Sequence, residues 1–232
     1  MLNIFLSAEA LKDIVNAKLI WQNNEDITNA GEVSTQTSLY KKDKSIEAHT
    51  ILQPSQVIIS DSVWNIRKSD LYFHSDSLIS INNFLFENER QFIHIDGKAS
   101  RSQQDSLIVS TNDLNLDYIM QLLRLRGIKF GGSITGKLKL FSLLKEPIFL
   151  GNLDVEDFSL NDKIIADAVV SSTWDKINSQ LLINGDFTNK KKEVVAKATG
   201  IFVPKNDSLD LKVDAKKFPL EFLNRYFEGV AS

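Results

Sequence analysis

The side chains of this sequence change character every second residue, and that period limits the chain more than any other property. A period of two places alternate side chains on opposite faces of an extended strand. Phe92-Ile93-His94-Ile95-Asp96 puts Ile93 and Ile95 on one face and His94 and Asp96 on the other. Leu107, Val109 and Thr111 alternate with Ser106, Ile108 and Ser110, and Lys137-Leu138-Lys139-Leu140 and Ser208-Leu209-Asp210-Leu211-Lys212-Val213 alternate as cleanly. Val57-Ile58-Ile59, Leu71-Tyr72-Phe73, Leu78-Ile79-Ser80-Ile81 and Leu181-Leu182-Ile183 read as further short strands. Polar clusters separate them: Asn23-Asn24-Glu25-Asp26, Lys41-Lys42-Asp43-Lys44, Asn88-Glu89-Arg90, Ser102-Gln103-Gln104-Asp105, Asn161-Asp162-Lys163 and Lys205-Asn206-Asp207. Strands divided by such turns predict an all-β chain of successive hairpins, a repetitive antiparallel sheet.

Helix signals are few. Leu6 to Val15 reads as one helix, with Ser7 as N-cap and Ala8, Ala10 and Leu11 as good formers. Asp117 to Leu125 and Leu220 to Phe227 read as short helical turns, with Pro219 suited to the start of the second.

Composition narrows the function classes. Hydrophobic residues at 43% and charged residues at 25% suit a folded chain rather than a disordered one. A net charge of −3 offers no basic patch for nucleic acid. The cationic run Lys190-Lys191-Lys192, beside Thr188 and Asn189, reads as a solvated hairpin turn. The absence of cysteine removes disulfides, thiolate metal sites and thiol nucleophiles. No apolar run approaches the roughly 18 residues of a membrane-spanning helix. Met1 to Leu6 is too short for a signal peptide and lacks a cationic start. If the protein is exported, its address lies outside this sequence.

An internal repeat organises the chain. Trp64-Asn65, Ser69 and Leu71 return as Trp174-Asp175, Ser179 and Leu181. Gly97 returns as Gly200, Asp105-Ser106-Leu107 as Asp207-Ser208-Leu209, Leu116-Asp117-Tyr118-Ile119 as Leu220-Glu221-Phe222-Leu223, and Gly127-Ile128 as Gly229-Val230. The offsets are roughly 102–110 residues, and the order is kept, as repeated units with loop insertions would give. The expected divisions are an N-terminal β segment over 1–63, a first repeat over 64–173 and a second over 174–232. The second copy stops before the Gly-rich stretch that follows the first, so the chain is expected to be a slice of a longer array.

The stretch Gly132-Ser133-Ile134-Thr135-Gly136-Lys137-Leu138-Lys139-Leu140, then Pro147, then Gly151-Asn152-Leu153, resembles the small-residue and leucine pattern that recurs in TamB-like proteins of the AsmA-like superfamily. Asp157-Phe158-Ser159-Leu160-Asn161 and Trp174-Asp175 fit the same register. The resemblance covers about Trp64 to Ser232 and rests on the order of motifs that are individually unspecific. It implies a periplasmic segment of an envelope-spanning protein, anchored in the inner membrane by other parts of the parent chain. It implies a sheet curled into an open, taco-like groove. It further implies movement of phospholipid, or of other acyl-chain cargo, and support of outer-membrane protein assembly with an outer-membrane barrel protein as partner.

An apolar sheet face suits acyl chains, since each buried methylene contributes ~0.8 kcal/mol. The candidate groove residues are Ile93, Ile95, Leu107, Val109, Leu138, Leu140, Leu181, Ile183, Leu209, Leu211 and Val213. Alternation alone does not separate this reading from a closed β-sandwich in which the same residues meet a second sheet, as in a surface adhesin or carbohydrate-binding module.

The catalytic search finds little. His49, His74 and His94 lack metal-ligand spacing, although a cross-strand pairing of His74 with His94 is conceivable. Ser75-Asp76-Ser77 beside His74 has no nucleophile elbow around it and reads as a polar turn. Asp154, Glu156 and Asp157 form no calcium loop. Gly131, Gly132 and Gly136 read as hairpin-turn glycines rather than a phosphate cradle. Trp21, Trp64 and Trp174 read as packing anchors. A non-enzymatic chain without metal or cofactor is the expectation.

Overall fold

A computed structural model describes residues 2–23, 29–59, 61–116 and 130–215. Strand dominates throughout. The first half carries β1 (Leu2–Leu11), β2 (Ile14–Asn23), β3 (Asn29–Lys42), β4 (Ser45–Leu52), β5 (Ser55–Ile59), β6 (Ser62–Ile66), β7 (Ser69–Phe73), β8 (Ile79–Asn88), β9 (Gln91–Ala99) and β10 (Ser106–Asn115). There follow β11 (Phe130–Phe141), β12 (Ile148–Leu160), β13 (Lys163–Asp175), β14 (Gln180–Thr188), β15 (Val194–Val203) and β16 (Ser208–Ala215). The 3-10 turn Pro204–Asn206 links β15 to β16.

All sixteen strands belong to one antiparallel sheet. Its order is β1-β2-β3-β4-β7-β8-β9-β10-β11-β12-β13-β14-β15-β16, and β5 and β6 stand off this path, β5 on β3 and β6 on β8. Sequence neighbours therefore pair almost everywhere, as short turns between antiparallel strands require. Two compact units share the sheet. One comprises 1–111 with 139–148, the other 112–138 with 149–232.

The expected helix over Leu6 to Val15 is a hairpin instead. Ten consecutive pairs join β1 to β2, from Leu2 opposite Asn23 to Leu11 opposite Ile14, and Ser7 faces Lys18 rather than capping a helix. Lys12 turns the corner at φ 53°. Helix propensity among ordinary residues spans only ~0.7 kcal/mol per residue. The β-branched Ile14, Val15 and Ile20 on the partner strand, and a full ladder of backbone bonds, outweigh it. The other two expected helical segments lie wholly outside the described residues, as do the repeat matches at 117–119, 127–128, 220–223 and 229–230.

The glycines of β11 also depart from expectation. Gly131, Gly132 and Gly136 lie inside the strand, not in a hairpin turn. Gly132 has φ +123°, and a Cβ there would sit 2.7 Å from the carbonyl oxygen of Glu156 on β12. The missing side chain thus permits the close approach of a neighbouring backbone.

One device recurs in both units. Between Ile81 opposite Gly97 and Phe84 opposite Ile95, two residues of β8 face the single Asp96 of β9. Asn83 takes φ 54°, and its N–H donates to Asp96 Oδ1 at 3.0 Å. Between Val155 opposite Ala168 and Phe158 opposite Ala166, two residues of β12 face the single Asp167 of β13. Asp157 takes φ 48°, and its N–H donates to Asp167 Oδ1 at 3.2 Å. Asp113 on β10 repeats the conformation at φ 48°, its N–H donating to Thr135 Oγ1 at 2.9 Å. Asn83 and Asp157 mark β-bulges whose displaced N–H is satisfied by an aspartate of the facing strand. Bulges raise local strand twist, and an unsatisfied N–H would cost stability.

Two predictions follow from this backbone. Gly97 has φ +119°, and a Cβ would collide with the Ser106 carbonyl oxygen. Gly97→Ala is expected to cost ~1–3 kcal/mol, read by urea unfolding; a neutral result would show that the strand shifts freely. Asp167 receives Lys192 Nζ at 3.0 Å as well as the Asp157 N–H. The Lys192 bond first, then the Asp157 N–H, hold its carboxyl below the usual aspartate range against a burial effect that opposes them. Its folded value is thus below its unfolded one. The stabilisation is full above pH about 4 and is lost as pH falls through the folded value. Asp167→Ala should cost on the order of 1 kcal/mol at neutral pH, since the pair is partly solvated. The difference from the parent chain should vanish in acid unfolding series.

Candidate functional site

Register decides which side chains share a face. In the first unit, pairing carries one face from strand to strand without a break. Leu6 lies opposite Leu19, and Ile4 opposite Trp21. Leu19 faces Val33, and Trp21 faces Gly31. Leu39 faces Ala48, which faces Phe73, which faces Ile79, which faces Ala99. Phe84 faces Ile95, and Phe86 faces Ile93. From the off-path hairpin, Val57 faces both Gly31 and Trp64. Trp64 is 1% exposed and stacks on Phe86 with ring centroids 4.7 Å apart. Gly31 is open because the Trp21 ring occupies the space a Cβ would need.

The second unit builds a comparable face. Gly151, Leu153 and Val155 of β12 lie opposite Ser172, Val170 and Ala168 of β13. Those face Ile183, Gly185 and Phe187 of β14. Next come Gly200, Ala198 and Ala196 of β15, then Leu211, Val213 and Ala215 of β16. Trp174, Leu181, Phe202 and Leu209 make one more row of the same face. Ile134, Val155 and Ala168 form a small buried cluster joined by Leu116, Leu153, Phe158 and Phe187.

The sequence-predicted groove residues fall on these faces where the register is established. Ile93 and Ile95 are half-buried on β9. Leu107 is buried and Val109 half-buried on β10. Leu138 and Leu140 are half-buried on β11, and Leu138 lies against Gly151. Leu181 is buried, and Ile183 half-buried, on β14. Leu209, Leu211 and Val213 remain 59%, 55% and 57% exposed on β16. Sequence reading missed Phe84, Phe86, Val170, Phe187 and Phe202. The period-two signal was present around them, but bulges shift the parity at Phe84 and Phe158.

Across β3, β4, β7 and β8 the opposite face of the first unit carries a polar cluster that sequence reading did not assemble. Glu47 lies across from Tyr40 on one side and pairs with His74 on the other. It is 4% exposed. His74 Nδ1–H donates to Glu47 Oε2 at 3.3 Å, which leaves Nε2 to accept from the Ser80 hydroxyl at 3.3 Å. Lys42 Nζ lies 3.4 Å from Glu47 Oε1. His49 Nε2–H donates to Asp70 Oδ1 at 2.7 Å, and its ring stacks on Tyr72 at 4.2 Å between centroids. A polar hollow of about 330 Å³ opens beside Lys42, Glu47, His74, Ser80 and Lys98. His94 is held by Asn83 Oδ1 at 3.0 Å, so it is not paired with His74 as conceived from sequence.

Burial raises the Glu47 carboxyl, but the His74 hydrogen bond and the Lys42 charge prevail and hold it below its ordinary value. Burial raises the Tyr40 phenol, and the Glu47 charge and hydrogen bond raise it further. Among the described residues no group of three His, Cys, Asp or Glu is placed to hold a metal ion. The rings of His49 and Tyr72 stack face to face at 4.2 Å. The cluster chiefly ties β3, β4, β7 and β8 together.

Glu47→Gln should therefore lower the Tyr40 phenol pKa, read as the alkaline absorbance titration that disappears in Tyr40→Phe. An unchanged titration would mean that burial alone sets the Tyr40 value.

No helix among the described residues is long and apolar enough to cross a membrane. Comparison with protein-family models, with curated proteins and with solved structures finds no match to this chain.

Proposed function

We propose that this chain is a non-enzymatic, periplasmic segment of an envelope-spanning, TamB-like protein. In this reading it carries phospholipid, or another acyl-chain cargo, along the apolar face of its sheet, as the wall of a lipid groove. Support of outer-membrane protein assembly, with a barrel protein as partner, belongs to the same proposal.

The observation that carries the reading is the cross-strand continuity of apolar rows in each unit. Leu181, Phe202 and Leu209 form such a row in the second unit, and Phe86 with Ile93 in the first. Apolar side chains on these rows keep substantial exposure, with Leu209 at 59%, Leu211 at 55% and Val213 at 57%. A face of this kind gives an acyl chain ~0.8 kcal/mol per methylene removed from water. It asks nothing of chain chemistry beyond being apolar, which suits a mixed lipid population. The described strands belong to one hydrogen-bonded sheet, so each apolar row runs on from strand to strand by backbone pairing.

Native mass spectrometry after incubation with phospholipid extract tests the proposal. Phospholipid should be retained by the parent chain and lost in Leu211→Asp. That position is exposed, so the substitution should change unfolding free energy by only ~0.5 kcal/mol. Leu181→Asp at a buried position should instead unfold the chain, because an unpaired buried charge is costly. A lipid-free mass for the parent chain, together with no binding of an environment-sensitive dye, would overturn the lipid reading and favour a structural or adhesive repeat.

A further inference from the structure

The polar cluster of the first unit holds a hydroxyl whose setting goes beyond tying strands together. We propose that Ser80 is an acyl acceptor site: its hydroxyl, set on His74 and through it on Glu47, takes the acyl group of an activated carboxylic ester or thioester. This site lies on the polar face and does not depend on lipid binding.

Backbone pairing builds it. β7 and β8 pair from Asp70 opposite Asn82 to Phe73 opposite Ile79. Just past Phe73, the His74 N–H donates to the Leu78 carbonyl oxygen at 2.9 Å and closes the turn between the two strands. Tyr72 and His74, two residues apart in extended chain, share a face, and Ser80 lies opposite Tyr72. Ser80 thus stands diagonal to His74 on that face. On the other side of β7, Ala48 lies opposite Phe73, which brings Glu47 up to His74. The Ser80 hydroxyl donates to His74 Nε2 at 3.3 Å, and His74 Nδ1–H donates to Glu47 Oε2 at 3.3 Å.

Each partner has the property its task requires. A serine hydroxyl is a weak nucleophile until an adjacent base takes its proton. His74 Nε2 is free to accept because Glu47 engages Nδ1 as the donor, which fixes the tautomer. Glu47 is 4% exposed, and its carboxylate orients the ring and stabilises the imidazolium as it forms. Ser80 is half-buried and lines the polar hollow, so a small donor can reach it. Lys98 lies opposite Ser80 on β9 and lines the same hollow, which sets a cation near the carbonyl oxygen that gains negative charge. Bonds of 3.3 Å are long for a proton relay, and relays of this kind tighten when substrate is bound.

The step balances. Ser80 Oγ forms a bond to the acyl carbon while its proton passes to His74 Nε2. The bond from the acyl carbon to the leaving oxygen or sulfur then breaks, and His74 returns the proton to the leaving group. One acyl group is transferred per chain, so Ser80 is an acceptor and the chain turns nothing over.

Incubation of the intact chain with p-nitrophenyl acetate, followed by nitrophenolate absorbance and peptide mass spectrometry, reads the result. A fast phase should release one nitrophenolate per chain, and one acetyl group should map to Ser80. Ser80→Ala should abolish that phase. His74→Gly should slow it roughly 10²-fold or more, and added imidazole should restore part of the rate. Glu47→Asp, which keeps the carboxylate, should lose less rate than Glu47→Gln. Far-UV circular dichroism checks that each variant keeps its sheet, and the Ser80 label in the parent chain decides the matter even if His74→Gly fails to fold. Acetyl groups found on other residues alone, or a fast phase that survives Ser80→Ala, would overturn the proposal. So would equal losses in the two Glu47 variants, or release that runs on past one equivalent.

Discussion

Everything in this protein depends on the antiparallel ladder of one sheet. A strand has no internal partner for its N–H and C=O groups, so each must find one on a neighbouring strand. Where successive strands pair through short turns, that requirement fixes the neighbour, the direction and the register together. Register then fixes the faces, because a slip of one residue would turn every side chain over. The apolar rows of each unit are therefore consequences of backbone pairing, and so is the polar cluster around Glu47.

The ladder is not uniform, and its interruptions are built. The bulges at Asn83 and Asp157 share one construction: two residues against a single aspartate, a left-handed residue, and a displaced N–H bonded to the aspartate carboxylate. These sites change parity along a strand without leaving a polar group unsatisfied. They let one face remain apolar across strands whose simple alternation would otherwise break. Glycines such as Gly97 and Gly132 complement them by admitting the neighbouring backbone where a side chain would collide.

The two faces divide the work. The polar face of the first unit spends its titratable groups on one another: His74 on Glu47, His49 on Asp70, and Tyr40 and Lys42 on Glu47. Such an arrangement ties β3, β4, β7 and β8 together. The apolar rows of each unit would offer an acyl chain area without chemical specificity, as the proposed function requires. A lipid-carrying reading rests on that contrast between the faces.

The all-β class, most strands and most turns were legible from alternation and polar punctuation alone, since those patterns report the strand period directly. Ile93, Ile95, Leu138, Leu181 and Leu211 could be placed on one side of their own strands for the same reason. The sequence could not say where pairing skips a strand, as β4 does to reach β7 and β6 to reach β8, and so could not bring Glu47 to His74 or Phe86 to Trp64. It misread Leu6 to Val15, where local helix propensity is real but small and a partner strand overrides it. It misread the β11 glycines, because a close backbone approach and a tight turn ask for the same residue. The period of the side chains thus belonged to the sequence. The register, the bulges and the pairings that skip a strand, which turn a period into a continuous face, were decided only by the tertiary structure, because backbone hydrogen bonds between strands carry no mark in the residues that make them.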